Sequence, residues 1–320
     1  GWGGGQATVW AAALLPDDRV VIAGDFVTYN DVARYGLARL NPDGSLDPTF
    51  DPGGGVDGMV QALAVDGRDP ARVYIGGWFT DYNGTYRAGV ARLNADGSLD
   101  ESFDPGTGTF DPDSGAFGGV FALAVQPDGA VLVGGNFTSI DQRARSGVAR
   151  LLPSGALDLS FDPGTGADDA VYALTLDAQG RPLIGGLFTS YNATRRMRLA
   201  RLKPNGTLDT TFLDTAYNQF AGLFKHLSFD PPTWINSIAV QADGKVMIGG
   251  SFTNLGGLCH VQNRGGYKGF TRDMVRNRLN IARLIGTWGE SGDPAVANPS
   301  QGPGNVQFVK EEYTVDENGG

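Results

Sequence analysis

Few side chains in this chain have the types and spacing that do chemistry. It has two histidines, His226 and His260, and one cysteine, Cys259. Cys259 and His260 are adjacent, but no further Cys or His lies close in sequence. The roughly four ligands of a zinc site are therefore missing there, and a lone cysteine closes no internal disulfide. HExxH, GxSxG, P-loop and helix-opening GxGxxG signatures are all absent. Aspartates are abundant, yet they return at fixed spacing, as in Asn41, Asp43 and Asp47 and again in Asn94, Asp96 and Asp100. A calcium loop needs five or six oxygen ligands, and a glycosidase needs two opposed carboxylates. Periodic aspartates fit turn formation better than either.

The periodic aspartates have periodic partners. In the segment from Arg39 to Asp47, a three-residue loop Pro42-Asp43-Gly44 pairs Asn41 with Ser45 and sets Arg39 opposite Asp47. The same offset recurs at Arg92 and Asp100, Arg150 and Asp158, and Arg201 and Asp209, while Arg283 lacks such a partner. These are expected to be structural cross-strand ion pairs that fix register. Aromatic residues at positions that differ between units are the other candidates. Trp78, Tyr82, Tyr191 and Tyr29, read as exposed, are able to stack on a sugar ring, with core packing the favoured alternative for each; Trp78, Tyr82 and Tyr191 form a candidate interaction surface with Cys259 and His260. Two further positions vary between units. One reads Trp10, Gln61, Phe121, Tyr172 and Asn236, and the other reads Asp25, Trp78, Asn136, Leu187 and Ser251.

These residues are carried by one repeat written five times. Ala23-Gly24-Asp25-Phe26 returns as Gly76-Gly77-Trp78-Phe79, Gly134-Gly135-Asn136-Phe137, Gly185-Gly186-Leu187-Phe188 and Gly249-Gly250-Ser251-Phe252, with phenylalanine spacings of 53, 58, 51 and 64. An Ala-Arg-Leu triplet follows each, and a Leu-Asp-x-x-Phe segment ends the first four units. Each unit reads as four short strands. In the third these are Val120 to Val125, Val131 to Thr138, Gly147 to Leu151 and a short strand ending at Phe161. The second strand is apolar or tiny on both faces, so it needs a neighbouring sheet on each side. Radial stacking supplies that, and the expected fold is all-β, a β-propeller of about five four-stranded antiparallel blades. Insertions at Leu213 to Thr233 and Leu255 to Asn277 interrupt the period and are expected on the rims.

Charge narrows the partners. With 25 Lys plus Arg against 35 Asp plus Glu, the net charge is −10. No basic stripe is present to hold nucleic acid or anionic lipid. No apolar run approaches the ~18 residues of a membrane helix.

The third unit, Val120 to Pro163, carries the pattern V-x-A-L, D-G, v-l-v-G-G-x-F-T, then G-v-A-R-L and L-D-x-x-F-D-P. It resembles the bacterial delta-60 repeat, a β-propeller family of unknown function, over roughly residues 9 to 285. The expected organisation is a propeller over 1–285, a Pro/Gly/Ser linker over 286–304, and over 305–320 the first strand of a domain similar to Calx-β. These resemblances imply a module of a large secreted or surface-anchored bacterial protein, located extracellularly or at the cell surface. Calcium is expected in the Calx-β domain, and no cofactor in the propeller. The expected role is non-catalytic: adhesion, assembly or interaction with a protein or glycan partner, including self-assembly. The alternatives are a carbohydrate-binding or carbohydrate-active propeller and a structural component of a virion or filament.

Overall fold

The computed structural model describes residues 7–66, 72–111, 117–212, 223–224, 233–252, 254–255, 276–277 and 280–284. They contain strands and no helix. Each repeat forms a three-stranded antiparallel sheet with an inner, a middle and an outer strand. In blade 1 these are Thr8–Leu14, Val20–Asp25 and Leu37–Leu40. In blade 2 they are Met59–Asp66, Arg72–Trp78 and Val90–Leu93. Blade 3 has Val120–Val125, Val131–Gly135 and Val148–Leu151. Blade 4 has Val171–Leu176, Pro182–Gly186 and Leu199–Arg201. Blade 5 has Trp234–Val240, Val246–Ser251 and Ile281–Leu284. The inner strands neighbour one another in chain order, as blades around an axis require.

The fourth strand contracts to a single bridge: Leu40 with Leu46, Leu93 with Leu99, Leu151 with Leu157, and Leu202 with Leu208. The aspartate that follows explains why. Asp47 Oδ1 accepts the Thr49 amide at 2.9 Å, and Asp100, Asp158 and Asp209 accept from Ser102, Ser160 and Thr211 in the same way at 3.0, 2.8 and 3.0 Å. A side chain that bonds the backbone two residues on draws the chain out of the ladder. The turn brings Phe50, Phe103, Phe161 and Phe212 beneath the arginine of the same blade, with ring centroids 5.0, 5.0, 5.2 and 4.8 Å from the guanidinium carbon.

That arginine also reaches its own aspartate. Arg39 Nε lies 2.7 Å from Asp47 Oδ2, Arg92 Nε 2.8 Å from Asp100, Arg150 Nε 2.7 Å from Asp158, and Arg201 Nε 2.8 Å from Asp209. A further nitrogen crosses to the next blade. Arg39 donates to the Ala95 carbonyl, Arg92 to that of Pro153 at 2.6 Å, and Arg150 to that of Pro204 at 2.8 Å. One buried cation therefore ties hairpin, aromatic ring and neighbouring blade together.

Between blades lie four apolar cores among the described residues, joining blades 1 and 2, 2 and 3, 3 and 4, and 4 and 5. In blades 2, 3 and 4 the first glycine of the middle-strand doublet sets the spacing. A β-carbon on Gly76 would lie 2.6 Å from Val120 Cγ1, on Gly134 3.0 Å from Val171 Cγ1, and on Gly185 2.7 Å from Ile235 Cγ2. Blades 2, 3 and 4 are thus covered on both sides. No core joins blade 5 to blade 1 among the described residues. Of the two insertions, Leu223–Phe224, Asn254–Leu255 and Arg276–Asn277 pair as a small sheet. The linker and the segment 305–320 lie outside the described residues.

Two expectations follow from the arginine–aspartate clamp. Burial raises the Asp100 carboxyl, but bonds from Ser102 and Arg92 outweigh it and hold the group below its usual value. Asp47, Asp158 and Asp209 are lowered by the same balance. A carboxyl lowered on folding stabilises fully above its unfolded pKa of about 4, and that stability is lost as pH falls toward the folded values. Thermal midpoints should therefore drop steeply below about pH 4. Asp100→Asn, which leaves Arg92 buried without a counter-charge, should cost about 3–5 kcal/mol in urea titration, and replacing both partners by Leu and Met should cost much less.

Candidate functional site at the bulges of the inner strands

Every inner strand carries a β-bulge at the same place. The register jumps between Val9 and Ala11, Val60 and Ala62, Val120 and Ala122, Val171 and Ala173, and Ile235 and Ser237. The skipped residues are Trp10, Gln61, Phe121, Tyr172 and Asn236, the set that varies between repeats. A bulge releases its residue from the ladder and re-aims the side chain. Here it does so on the strands nearest the axis, where each inner strand begins and its middle strand ends.

Three of these blades share an aromatic row. Trp78, at the end of the blade 2 middle strand, lies 5.9 Å from Phe121, and Phe121 lies 5.4 Å from Tyr172, with interplanar angles of 50° and 44°. All three are half-buried. Gly119 is pressed against the indole, since a β-carbon there would meet Trp78 at 2.5 Å and Phe121 at 2.7 Å. Its amide donates to Asn136 Oδ1 at 2.7 Å, which orients that side chain beside the row. Burial raises the Tyr172 hydroxyl pKa, and the Asp169 carboxylate adds to the effect. Gln61 Oε1 is buried and has no hydrogen-bond partner among the described residues. The row thus offers flat, half-buried apolar faces.

The other nominated residues fall elsewhere. Tyr82 and Tyr191 are not exposed: they are 1% and 0% accessible. Each sits on a short ribbon after the middle strand, Asp81–Tyr82 with Thr85–Tyr86 and Ser190–Tyr191 with Thr194–Arg195. Their hydroxyls donate to the carbonyls of Gly97 at 2.6 Å and Gly206 at 2.7 Å. Burial raises both hydroxyl pKa values well above the usual tyrosine range. They fasten the ribbon to the blade and are unavailable to a ligand. Cys259, His260 and His226 lie outside the described residues. The aspartates of the Asp-Gly turns are occupied locally. Asp43 Oδ1 accepts the Ser45 amide and hydroxyl at 2.9 and 2.6 Å, and Asp96 does the same with Ser98 at 2.9 and 2.7 Å. No group of three His, Cys, Asp or Glu suited to a metal ion occurs among the described residues, and no helix there is long and apolar enough to cross a membrane.

Fold and repeat together define a β-propeller repeat domain. Residues 15–50, 72–103, 126–161, 180–212 and 241–258 match the family described as "Domain of unknown function (DUF5122) beta-propeller". A search of curated proteins gave no match. Solved structures that resemble the chain include a protein of unknown function from Bacteroides caccae, at 14% identity and TM-score 0.43, covering 88% of this chain and 79% of that one. A gluconolactonase from Xanthomonas campestris matches at 16% identity and TM-score 0.43, covering 76% and 70%. Virginiamycin B lyase from Staphylococcus aureus matches at 14% identity and TM-score 0.40, covering 77% and 67%.

These neighbours correct the expectation of a non-catalytic module and the exclusion of enzyme activity. Two of the three are named for reactions they catalyse. At such identities the likeness is one of fold, and it assigns no reaction to this chain. The local geometry does yield an expectation for Tyr82. Tyr82→Phe leaves the buried Gly97 carbonyl without its donor and should lower stability by about 1–3 kcal/mol, measured by urea titration.

Proposed function

We propose that this chain is a small-molecule-binding propeller whose ligand rests on Trp78, Phe121 and Tyr172, where the inner strands begin. The observation that carries this reading is the bulge. At one repeated backbone position the side chain is freed from the ladder, and there the five repeats hold five different residues. The neighbouring positions keep their residue types because they pack between blades. The chemistry of the row selects a ligand with a flat, apolar ring, which stacks on the aromatic faces. A net charge of −10 and the nearby Asp169 disfavour anions such as phosphates.

From sequence pattern alone we infer further that residues 305–320 open a Calx-β-like domain that takes calcium, and that the protein works outside the cell or at its surface.

A fragment panel of aromatic heterocycles and pyranosides, screened by saturation-transfer NMR, tests the ligand class. Aromatic fragments should bind wild type and lose at least about tenfold in affinity with Phe121→Ala or Tyr172→Ala. Tyr86→Ala, at an exposed aromatic pair away from the row, should leave binding unchanged. A panel without hits, or hits insensitive to the first two substitutions, refutes the proposal.

A further inference from the structure

Trp78, Phe121 and Tyr172 come from three successive blades, and the planes of successive rings differ by 50° and 44°. Rings tilted this far do not share a plane, so one flat ligand cannot lie against all of them. A flat ring stacks on one and leaves the faces of the others open. The face of an aromatic ring carries a negative quadrupole, and beyond apolar surface it attracts positive charge. A compact cation needs no common plane and draws on several tilted faces at once. The three rings are half-buried, which removes water from the contact and strengthens that attraction.

The charges around the row have one sign. Within three residues of the points where inner strands begin and middle strands end lie Asp25, Asp57, Asp81, Asp168 and Asp169, and no Lys or Arg. Asp25, Asp57, Asp168 and Asp169 are exposed. Asp169 stands three residues before Tyr172, where its Oδ1 accepts the Ala170 amide at 2.7 Å. Its charge is felt at the ring, since it helps to raise the Tyr172 hydroxyl pKa. The cations at this end of the blades are engaged elsewhere. Arg198, before the blade 4 outer strand, donates from Nε to Thr233 Oγ1 at 3.1 Å and is attracted by Asp169 and Asp168. Arg34, Arg87 and Arg145 are turned to Asp51, Asp104 and Asp162 at 3.8, 3.9 and 4.0 Å.

We propose that the ligand of the row is an organic cation, an aromatic ring bearing an alkylated ammonium group. The inference rests on the row being the binding site and adds the charge of what binds there. The ring of the ligand stacks on one aromatic face, and its ammonium group lies across the remaining faces on the side of Asp169. An alkylated ammonium suits this surface because it spreads its charge over apolar methyl groups. It therefore meets half-buried rings without leaving N–H groups unpaired. The excess of carboxylates draws the same ligand toward this end of the blades from solution.

Two probes of one shape separate charge from ring stacking: para-trimethylammoniophenol and its neutral carbon isostere, para-tert-butylphenol. Ligand-observed NMR titration at low ionic strength should show the cation binding wild type about tenfold more tightly than the isostere. Trp78→Leu and Phe121→Leu keep an apolar side chain and remove a π face. Each, once circular dichroism shows it folded, should weaken the cation at least about fivefold and the isostere much less. Asp169→Asn, whose side chain still accepts the Ala170 amide, should weaken the cation about threefold and leave the isostere unchanged. An isostere that binds as tightly as the cation, or an Asp169→Asn variant that affects both alike, overturns the charge assignment and leaves the row standing as a ring-binding site. Cation binding that Trp78→Leu and Phe121→Leu leave unchanged places it elsewhere and also overturns the proposal. If neither probe binds, the charge assignment and the ring-binding site fall together.

Discussion

From blade 2 to blade 5 the distance between successive blades is set by side chains that are absent. Gly76, Gly134 and Gly185 lie where a β-carbon would enter a β-branched residue of the next blade. Two sheets can approach this closely only if one of them lacks a side chain at the point of contact. The close approach has two effects. It buries both faces of the middle strands, whose residues in blades 3 and 4 are all buried. It also brings the turn of the following blade within reach of Arg92 and Arg150, whose guanidinium groups donate to carbonyls there. Apolar packing supplies the attraction, and the arginine bonds fix the angle at which it is satisfied.

The arginine clamp makes such burial tolerable. A guanidinium and a carboxylate taken out of water lose solvation that their mutual attraction alone does not restore. Arg92 recovers it from several partners: Asp100, the Ser102 hydroxyl at 3.0 Å, the Pro153 carbonyl and the faces of Tyr74 and Phe103. Asp100 in turn accepts the amide and hydroxyl of Ser102. Each charge is held by its own turn, its own blade and the next, so its position reports on all three. A repeat built this way is rigid at the joint, which leaves the bulges of the inner strands free to differ.

The repeat was plain in the sequence because the joint demands the same residues each time, and the propeller followed from strands apolar on both faces. Other features were hidden for identifiable reasons. The segment Leu46 to Phe50 alternates like a strand, yet Asp47 binds the backbone two residues on and ends the ladder after one bridge. Tyr82 and Tyr191 lie in polar, turn-rich stretches that read as surface. What buries them is the folding back of a short ribbon onto the Gly97 and Gly206 carbonyls, a long-range contact without local signature. The arrangement of the aromatic row was out of reach for the opposite reason. Phe121 and Tyr172 look like ordinary alternating strand residues, and only the register jump shows that they leave the ladder.

This division of labour explains how near-identical units yield one distinctive site. A residue inside the ladder faces a neighbouring blade, so its size is dictated by the joint and any change meets a packed partner. A bulged residue meets no such partner across the strand pair. It lies nearest the axis, where the blades converge and side chains from different repeats come within stacking distance, as the bulged Phe121 and Tyr172 do, with Trp78 of the blade 2 middle strand extending the row. Variation there is structurally inexpensive and chemically consequential, because three blades each contribute one face of a shared surface. The backbone irregularity common to all five repeats is therefore what allows their chemistry to diverge.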